Sequence, residues 1–488
     1  MSGRGEVARR CLALVPFLLL SATVGRAEVD RSHPPKPGPV RPLELPPLHR
    51  HTLSNGLPVL VVEQHEVPVV ELVLVVRAGA TADPEGSEGL ARMTAAMLDE
   101  GAGGKDALAL ADAVDFLGAE LETGADWDYA SVRLRVPVAR LGDALPLFAD
   151  VALRPDFPEA ELQRLRKQAL TDLLQARDVP GRIASRALWK AVFGASHRYG
   201  RPEAGDAASL SRLTVEELRA FYAARYSPAT ASLVVVGDVG EDVVAVLEGA
   251  FGGWPRPAAA PAEVEVPAPA QVEGRSILLV DKPAAPQSVL RVGRVGPSWQ
   301  DPHYAAAEVM NTLLGGSFTS RLNDNLREQH GYTYGARSGL LRLRTGGLFL
   351  AGADVQADKT APAVSELFKE LDRITTPAPE DDVERARNYA ALGFAAEFET
   401  TRQVARHVIE QVVYDLPDDF FEAFVPEALA VDAAALQAAA RADVDTGSMV
   451  LVVVGDRATV AEPLQALGLG PIQTQSVEDV MGEAPKIE

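Results

Sequence analysis

The chain has 488 residues, 47% of them hydrophobic and 24% charged, and carries a formal net charge of −21 at pH 7. That length exceeds what one hydrophobic core comfortably serves, so two or more domains are predicted, and the acidity, without any clustered basic footprint, excludes nucleic acid as a partner. The single cysteine, Cys11, lies in the N-terminal apolar stretch, so the chain beyond it has no thiol, and disulfides, cysteine nucleophiles and zinc–thiolate sites are excluded there.

Arg4, Arg9 and Arg10 precede the run "CLALVPFLLLSATVG", which is too short to span a bilayer, and Gly25 and Ala27 form a small-x-small cleavage pattern. Residues 1–27 therefore read as a secretory signal peptide, which predicts an exported protein, periplasmic or extracellular. Removing them takes away four arginines and one glutamate and shifts the formal charge from −21 to −24. No later stretch is long and apolar enough to cross a membrane. Residues 28–47 are rich in proline and form an extended lead-in.

The runs "LPVLVV" and "VVELVLVV" around "EQHEVP" then predict a β-hairpin. "GLARMTAAMLDEG", residues 89–101, follows as a short amphipathic helix with Leu90, Met93 and Met97 on one face and a glycine stop. Long helices are predicted over 156–178 and 211–224. The strand "SLVVVGD" begins at Ser232, and a Pro/Ala-rich linker, "PRPAAAPAEVEVPAPAQVEG", occupies 255–274.

Beyond the linker the order repeats. "RSILLVDKPAAPQSVLRVGRVG" predicts a second hairpin, "PHYAAAEVMNTLLGG" a second helix, and "MVLVVVGD" a second buried strand from Met449. The identical hexapeptide "LVVVGD" stands at 233–238 and 451–456, 218 residues apart, at equivalent points of two halves. This is the signature of an internal duplication. The predicted fold is α+β: two duplicated domains, 48–254 and 275–470, each a mostly antiparallel sheet layered with helices, ending in an acidic tail at 471–488. No G-x-G-x-x-G follows any strand, which disfavours a Rossmann fold.

The eight histidines, at 33, 49, 51, 65, 197, 303, 330 and 407, form no i, i+3 or i, i+4 helical pair. His49 and His51 are a polar pair at a strand entrance. A zinc site needs convergent ligands, and none is legible here.

"HTLSNGLPVLVVEQHEVPVVELVLVVRAGATADPEGSEGLARMTAAMLDEG" resembles the N-terminal part of the pitrilysin or insulinase-like family of inverzincin zinc metallopeptidases, in its two-domain bacterial and mitochondrial-processing-peptidase-like branch. The likeness runs from about Leu48 to about Leu469. Active members carry H-x-x-E-H on the first helix: two imidazoles hold the metal and the glutamate takes a proton from metal-bound water. Here Arg92 and Ala96 replace both histidines, and Ala95 replaces the base. Asp172 is the nearest match by spacing to the third ligand, a glutamate, and is one methylene short. The resemblance thus implies no catalytic residue and no metal in this chain.

In "LLGGSFTSRLNDNLREQHGYTYGARSG", residues 313–339, Leu326, Arg327, Gly331 and Tyr334 match the pattern with which the family's C-terminal half positions substrate. The resemblance implies that Arg327 grips a substrate carbonyl and that Tyr334 donates to the developing oxyanion. It makes Gly315 and Gly316 a short glycine-rich loop touching substrate; His330 and Tyr332 fill variable positions. A chain with the ligands lost and this pair retained resembles the non-catalytic, substrate-positioning subunit of a heterodimeric zinc peptidase. Such a subunit closes a clamshell with a homologous zinc-bearing partner over unfolded peptides and is inactive alone. The alternative is a peptide-binding or scaffold protein of the same fold with no enzymatic role.

Overall fold

A computed structural model describes residues 38, 40, 43–259 and 261–487; the signal-peptide expectation lies outside the described residues. In chain order the elements that matter for function are β1 (Leu48–Thr52), β2 (Pro58–Glu63), β3 (Val69–Val76), α1 (Leu90–Ala96), β4 (Glu120–Ala125), β5 (Ala130–Pro137), α2 (Glu159–Ala176), α3 (Pro180–Phe193) and β6 (Ala231–Gly237). The second half supplies β7 (Ser276–Asp281), β8 (Gln287–Gly296), α4 (Tyr304–Asn311), β9 (Thr333–Arg342), β10 (Gly347–Gln356), α5 (Thr401–Tyr414), β11 (Val450–Gly455), β12 (Ile472–Gln475) and α6 (Val477–Met481).

Each half builds one six-stranded mixed sheet layered with helices, in the orders β1-β2-β6-β3-β5-β4 and β9-β10-β8-β11-β7-β12. The valine-rich runs are strands, but the predicted hairpins do not form. β6 lies between β2 and β3, parallel to the first and antiparallel to the second, and β11 separates β7 from β8 in the same way. Central strands covered on both faces are continuous valine runs, and such runs pair with whichever strand completes burial. The expected tail also contains folded elements, since β12 adds to the edge of β7 in parallel and α6 follows it.

The duplication extends to the register. Val59 pairs with Leu233 and Ile277 with Leu451, while Glu71 pairs with Val236 and Val289 with Val454. Every second-half residue in these pairs lies 218 positions after its first-half counterpart, the same offset as the repeated hexapeptide.

The halves are joined by exchanged helices. α3 begins with Pro180 at a position where its missing N–H costs nothing, and buries Ile183, Ala184, Ala187, Leu188 and Val192 in one cluster with Leu278, Val280, Val289, Val452 and Val454 of the second sheet. It packs on β8 and β11. α5 makes the reciprocal move. Its start is fixed by a capping box between Thr400 and Gln403, and it packs on β3 and β6 of the first sheet. Alternation along β3 turns Leu72 and Leu74 into the first half's own core, while Val73, Val75 and Glu71 take the opposite face. There the fully buried Glu71 accepts from Arg133 at 2.7 Å and lies 3.8 Å from Arg402 on α5. Burial pushes the Glu71 carboxyl up, against the pull of Arg133 and Arg402. Arg402 also reaches Glu120 at 3.2 Å and Glu122 at 3.3 Å on edge strand β4.

α1 is placed by a buried ion pair. Gly89 precedes it with φ +90, and a Cβ there would meet the Ala204 carbonyl at 2.8 Å, so both the backbone angle and the space call for glycine. The Asp83 carboxylate accepts from the Gly89 and Ala91 amides at 2.8 and 2.7 Å, satisfying amide groups at the start of the helix. Arg198 donates to Asp83 at 2.8 Å and to the Ala80 carbonyl at 2.6 Å. Burial pushes the Asp83 carboxyl up to about 6, opposed by Arg198 and the two amides.

Leu188→Ala is expected to cost about 2–5 kcal/mol, the range for a fully buried leucine. Because Leu188 sits in a core shared by both halves, denaturation followed together by circular dichroism and by the fluorescence of the stacked pair Trp127–Trp189 should show one transition, shifted as a whole. Separate unfolding of the halves would refute the shared core. Asp83→Asn leaves Arg198 buried without a counter-charge and should cost about 3–5 kcal/mol, read as a lower urea midpoint.

Candidate functional site

Leu90, Met93 and Met97 of the first helix are buried, as their spacing predicts, and this face packs into the first half's core. Arg92 and Ala96 lie on the wall of a cavity of about 380 Å³ that Asp172 of α2 also lines. The structure therefore brings together three of the positions singled out from the sequence. None of the three can reproduce a zinc site: Arg92 is a cation, Ala96 has no donor atom, and Asp172 alone offers one carboxylate. Ala95, at the position of the base, is fully buried and has no group that moves a proton. Among the described residues no group of three or more His, Cys, Asp or Glu is placed to hold a metal ion.

Arg92 instead has an electrostatic partner, since its guanidinium donates to Glu203 at 3.3 Å. Burial, with Asp126 adding to it, holds the Glu203 carboxyl above the usual carboxylate range against the pull of Arg92 and Arg198. A positive charge thus stands on the face of α1 where the sequence resemblance leads one to expect metal ligands.

The second-half residues form a separate surface, and none of residues 313–339 lines the cavity beside α1. Arg327 sits in a wide helical turn, Asp324–Gln329, with its guanidinium 4.6 Å from the centre of the Phe318 ring and its Nε 3.4 Å from Glu328. Tyr334 lies where the register between β9 and β10 slips between Thr333 and Ala336, a bulge at the start of an edge strand. Its side chain is 94% exposed, and among the described residues its ring and hydroxyl have no partner. Among the described residues no hydrogen bond or cation–π contact joins Arg327 to Tyr334. Gly316 is exposed, whereas Gly315 is buried and a Cβ there would run into the Ser338 amide, so close packing against β9 is what requires that glycine.

Sequence reasoning missed the parts that hold these residues. The Asn323 side chain donates to the Phe318 carbonyl at 2.7 Å and accepts from the Ala336 amide at 3.3 Å. One buried amide therefore ties the loop that carries Arg327's ring partner to the bulge that carries Tyr334. Asp83, Arg198 and Glu203 were also missed, because their partners lie about a hundred residues away in the chain and no local spacing marks them.

The Insulinase (Peptidase family M16) model matches residues 58–202, and the Peptidase M16 inactive domain model matches residues 212–389. An uncharacterized zinc protease of Mycobacterium leprae is 29% identical over 299 residues, covering 60% of this chain and 65% of that protein, slightly under two thirds of its length. The crystal structure of a peptidase M16 inactive domain from Pseudomonas fluorescens superposes with a TM-score of 0.79 at 29% identity, covering 84% of this chain and 98% of the other. A protease from Helicobacter pylori reaches the same TM-score at 19% identity over 84% of this chain and all of its own, a likeness of fold. The two family matches follow one another along the chain, the second beginning within the first half and running on into the second, and the chain belongs to the insulinase or M16 peptidase family, as a member whose first helix lacks the zinc-binding residues.

Proposed function

We propose that this chain is the non-catalytic, substrate-positioning subunit of an exported zinc metallopeptidase, completing the active site of a homologous zinc-bearing partner that degrades or processes unfolded peptides. The observation that carries the reading is a contrast between two surfaces. The metal-binding face of α1 has been replaced by an arginine and two alanines, while Arg327 and Tyr334 stand on an open surface, held by Asn323 and without a structural task for the tyrosine hydroxyl. A tyrosine kept at 94% exposure on a bulge contributes nothing to this chain's own core. In a closed pair, its hydroxyl would donate to a carbonyl oxygen as negative charge develops there, and Arg327, oriented by Phe318, would hold a neighbouring carbonyl of the peptide. Loss of water on closure would strengthen both interactions.

The first test is co-purification of the tagged mature chain from its native host. A stoichiometric partner of similar length carrying H-x-x-E-H supports the reading; recovery of the chain alone replaces it with the binding or scaffold role. In the assembled peptidase, Tyr334→Phe should lower kcat by about 10²–10³, the effect of removing one oxyanion donor, and Arg327→Ala should raise KM. Both variants should leave assembly on size-exclusion chromatography unchanged.

The isolated chain should stay inactive even with the ligands restored. Arg92→His, Ala95→Glu and Ala96→His together are expected to give weak zinc binding and no peptidase activity. Adding Asp172→Glu should tighten zinc at least about tenfold in a chelator competition. Robust hydrolysis by the triple variant alone would overturn this reading of the first helix.

A further inference from the structure

The cavity beside α1 plays no part in the substrate-positioning surface of the second half. Met93 and Leu210 are buried in its wall and Leu165 and Leu173 half-buried, giving an apolar floor, while Arg92, Asp172 and Arg182 are exposed at its rim. Arg92 is engaged by Glu203. Asp172 on α2 and Arg182 on α3 are different: among the described residues neither side chain makes an ion pair or hydrogen bond, with each other or with anything else. A free carboxylate and a free guanidinium therefore border one apolar-floored cavity of about 380 Å³ without neutralising one another, and that volume lies within the range of small-ligand pockets, roughly 300–1,000 Å³.

We propose that this cavity binds a short peptide by both of its free ends, with the terminal ammonium at Asp172, the terminal carboxylate at Arg182 and an apolar side chain on the floor of Met93, Leu165, Leu173 and Leu210. Three features of the ligand follow from three features of the wall. The guanidinium offers paired donors to a carboxylate. The Asp172 carboxylate accepts from an ammonium. The floor rewards an aliphatic side chain through burial. Among the described residues Asp172 and Arg182 form no ion pair with each other, so a ligand that reaches both carries its two opposite charges apart, as the two ends of a short extended peptide do. The place where active relatives cut a chain would here hold a piece already cut.

The test is calorimetric titration of the mature chain alone with the tripeptide leucyl-leucyl-leucine. The free tripeptide should bind. N-acetylation should weaken it about five- to tenfold in the wild type and not at all in Asp172→Asn; C-terminal amidation should do the same in the wild type and not at all in Arg182→Gln. Both substitutions lie on exposed helix surface and leave the core untouched. Absence of binding at millimolar peptide, or binding indifferent to end-blocking and to both variants, overturns the proposal. Arg327→Ala and Tyr334→Phe should leave this affinity unchanged. The result is therefore separate from the subunit reading: a missing partner leaves tripeptide binding intact, and failure to bind tripeptide leaves pairing intact.

Discussion

The exchange of α3 and α5 is the constraint on which the rest of the structure depends. A sheet whose central strands are almost unbroken valine and leucine must be covered on both faces, and each half lacks the helix that would cover its second face. Each takes it from the other. The two sheets are consequently fixed to one another by apolar contacts of the same kind that hold each sheet to its own helices, and the ion pairs around Glu71 and Arg402 only add orientation to that apolar contact.

The rigid frame explains how α1 outlasts its chemistry. Its buried face is part of the first half's core, and its start is held by Asp83 and Arg198, so the helix is needed for folding whatever its exposed residues are. Arg92 is exposed and Ala96 half-buried, so neither is fixed by that core. Arg92 returns a positive charge next to the half-buried Glu203, which keeps that carboxylate from standing without a partner.

The sequence marks periodicity and identity well and partnership poorly. The apolar face of α1, the central strands and the repeated hexapeptide were legible because each is a local pattern, and the offset of 218 proved to be the offset of the strand register itself. Pairing was not legible. β2 and β3 read as a hairpin because they are adjacent in the chain, yet β6, more than 150 residues later, separates them. Composition suggested a tail after residue 470, while β12 gains its place from the open edge of β7 rather than from any strong strand signal of its own. At the candidate site, Arg92, Ala96 and Asp172 were legible by spacing because helices turn spacing into a shared face. The supports of Arg327 and Tyr334 were not, since Asn323 works through backbone groups that no motif records.

The helix exchange also imposes an order of events on synthesis. The first sheet is complete in sequence once β6 has emerged at Gly237, but the helix that shields its second face begins only at Thr401. At about 5–20 residues per second, a nascent chain would carry that valine-rich face uncovered for roughly ten to thirty seconds. The first half therefore cannot reach its native state while the ribosome is still making the second, and it is most prone to aggregate in that interval. A chain built this way is suited to being kept unfolded until synthesis ends and to folding both halves in one step.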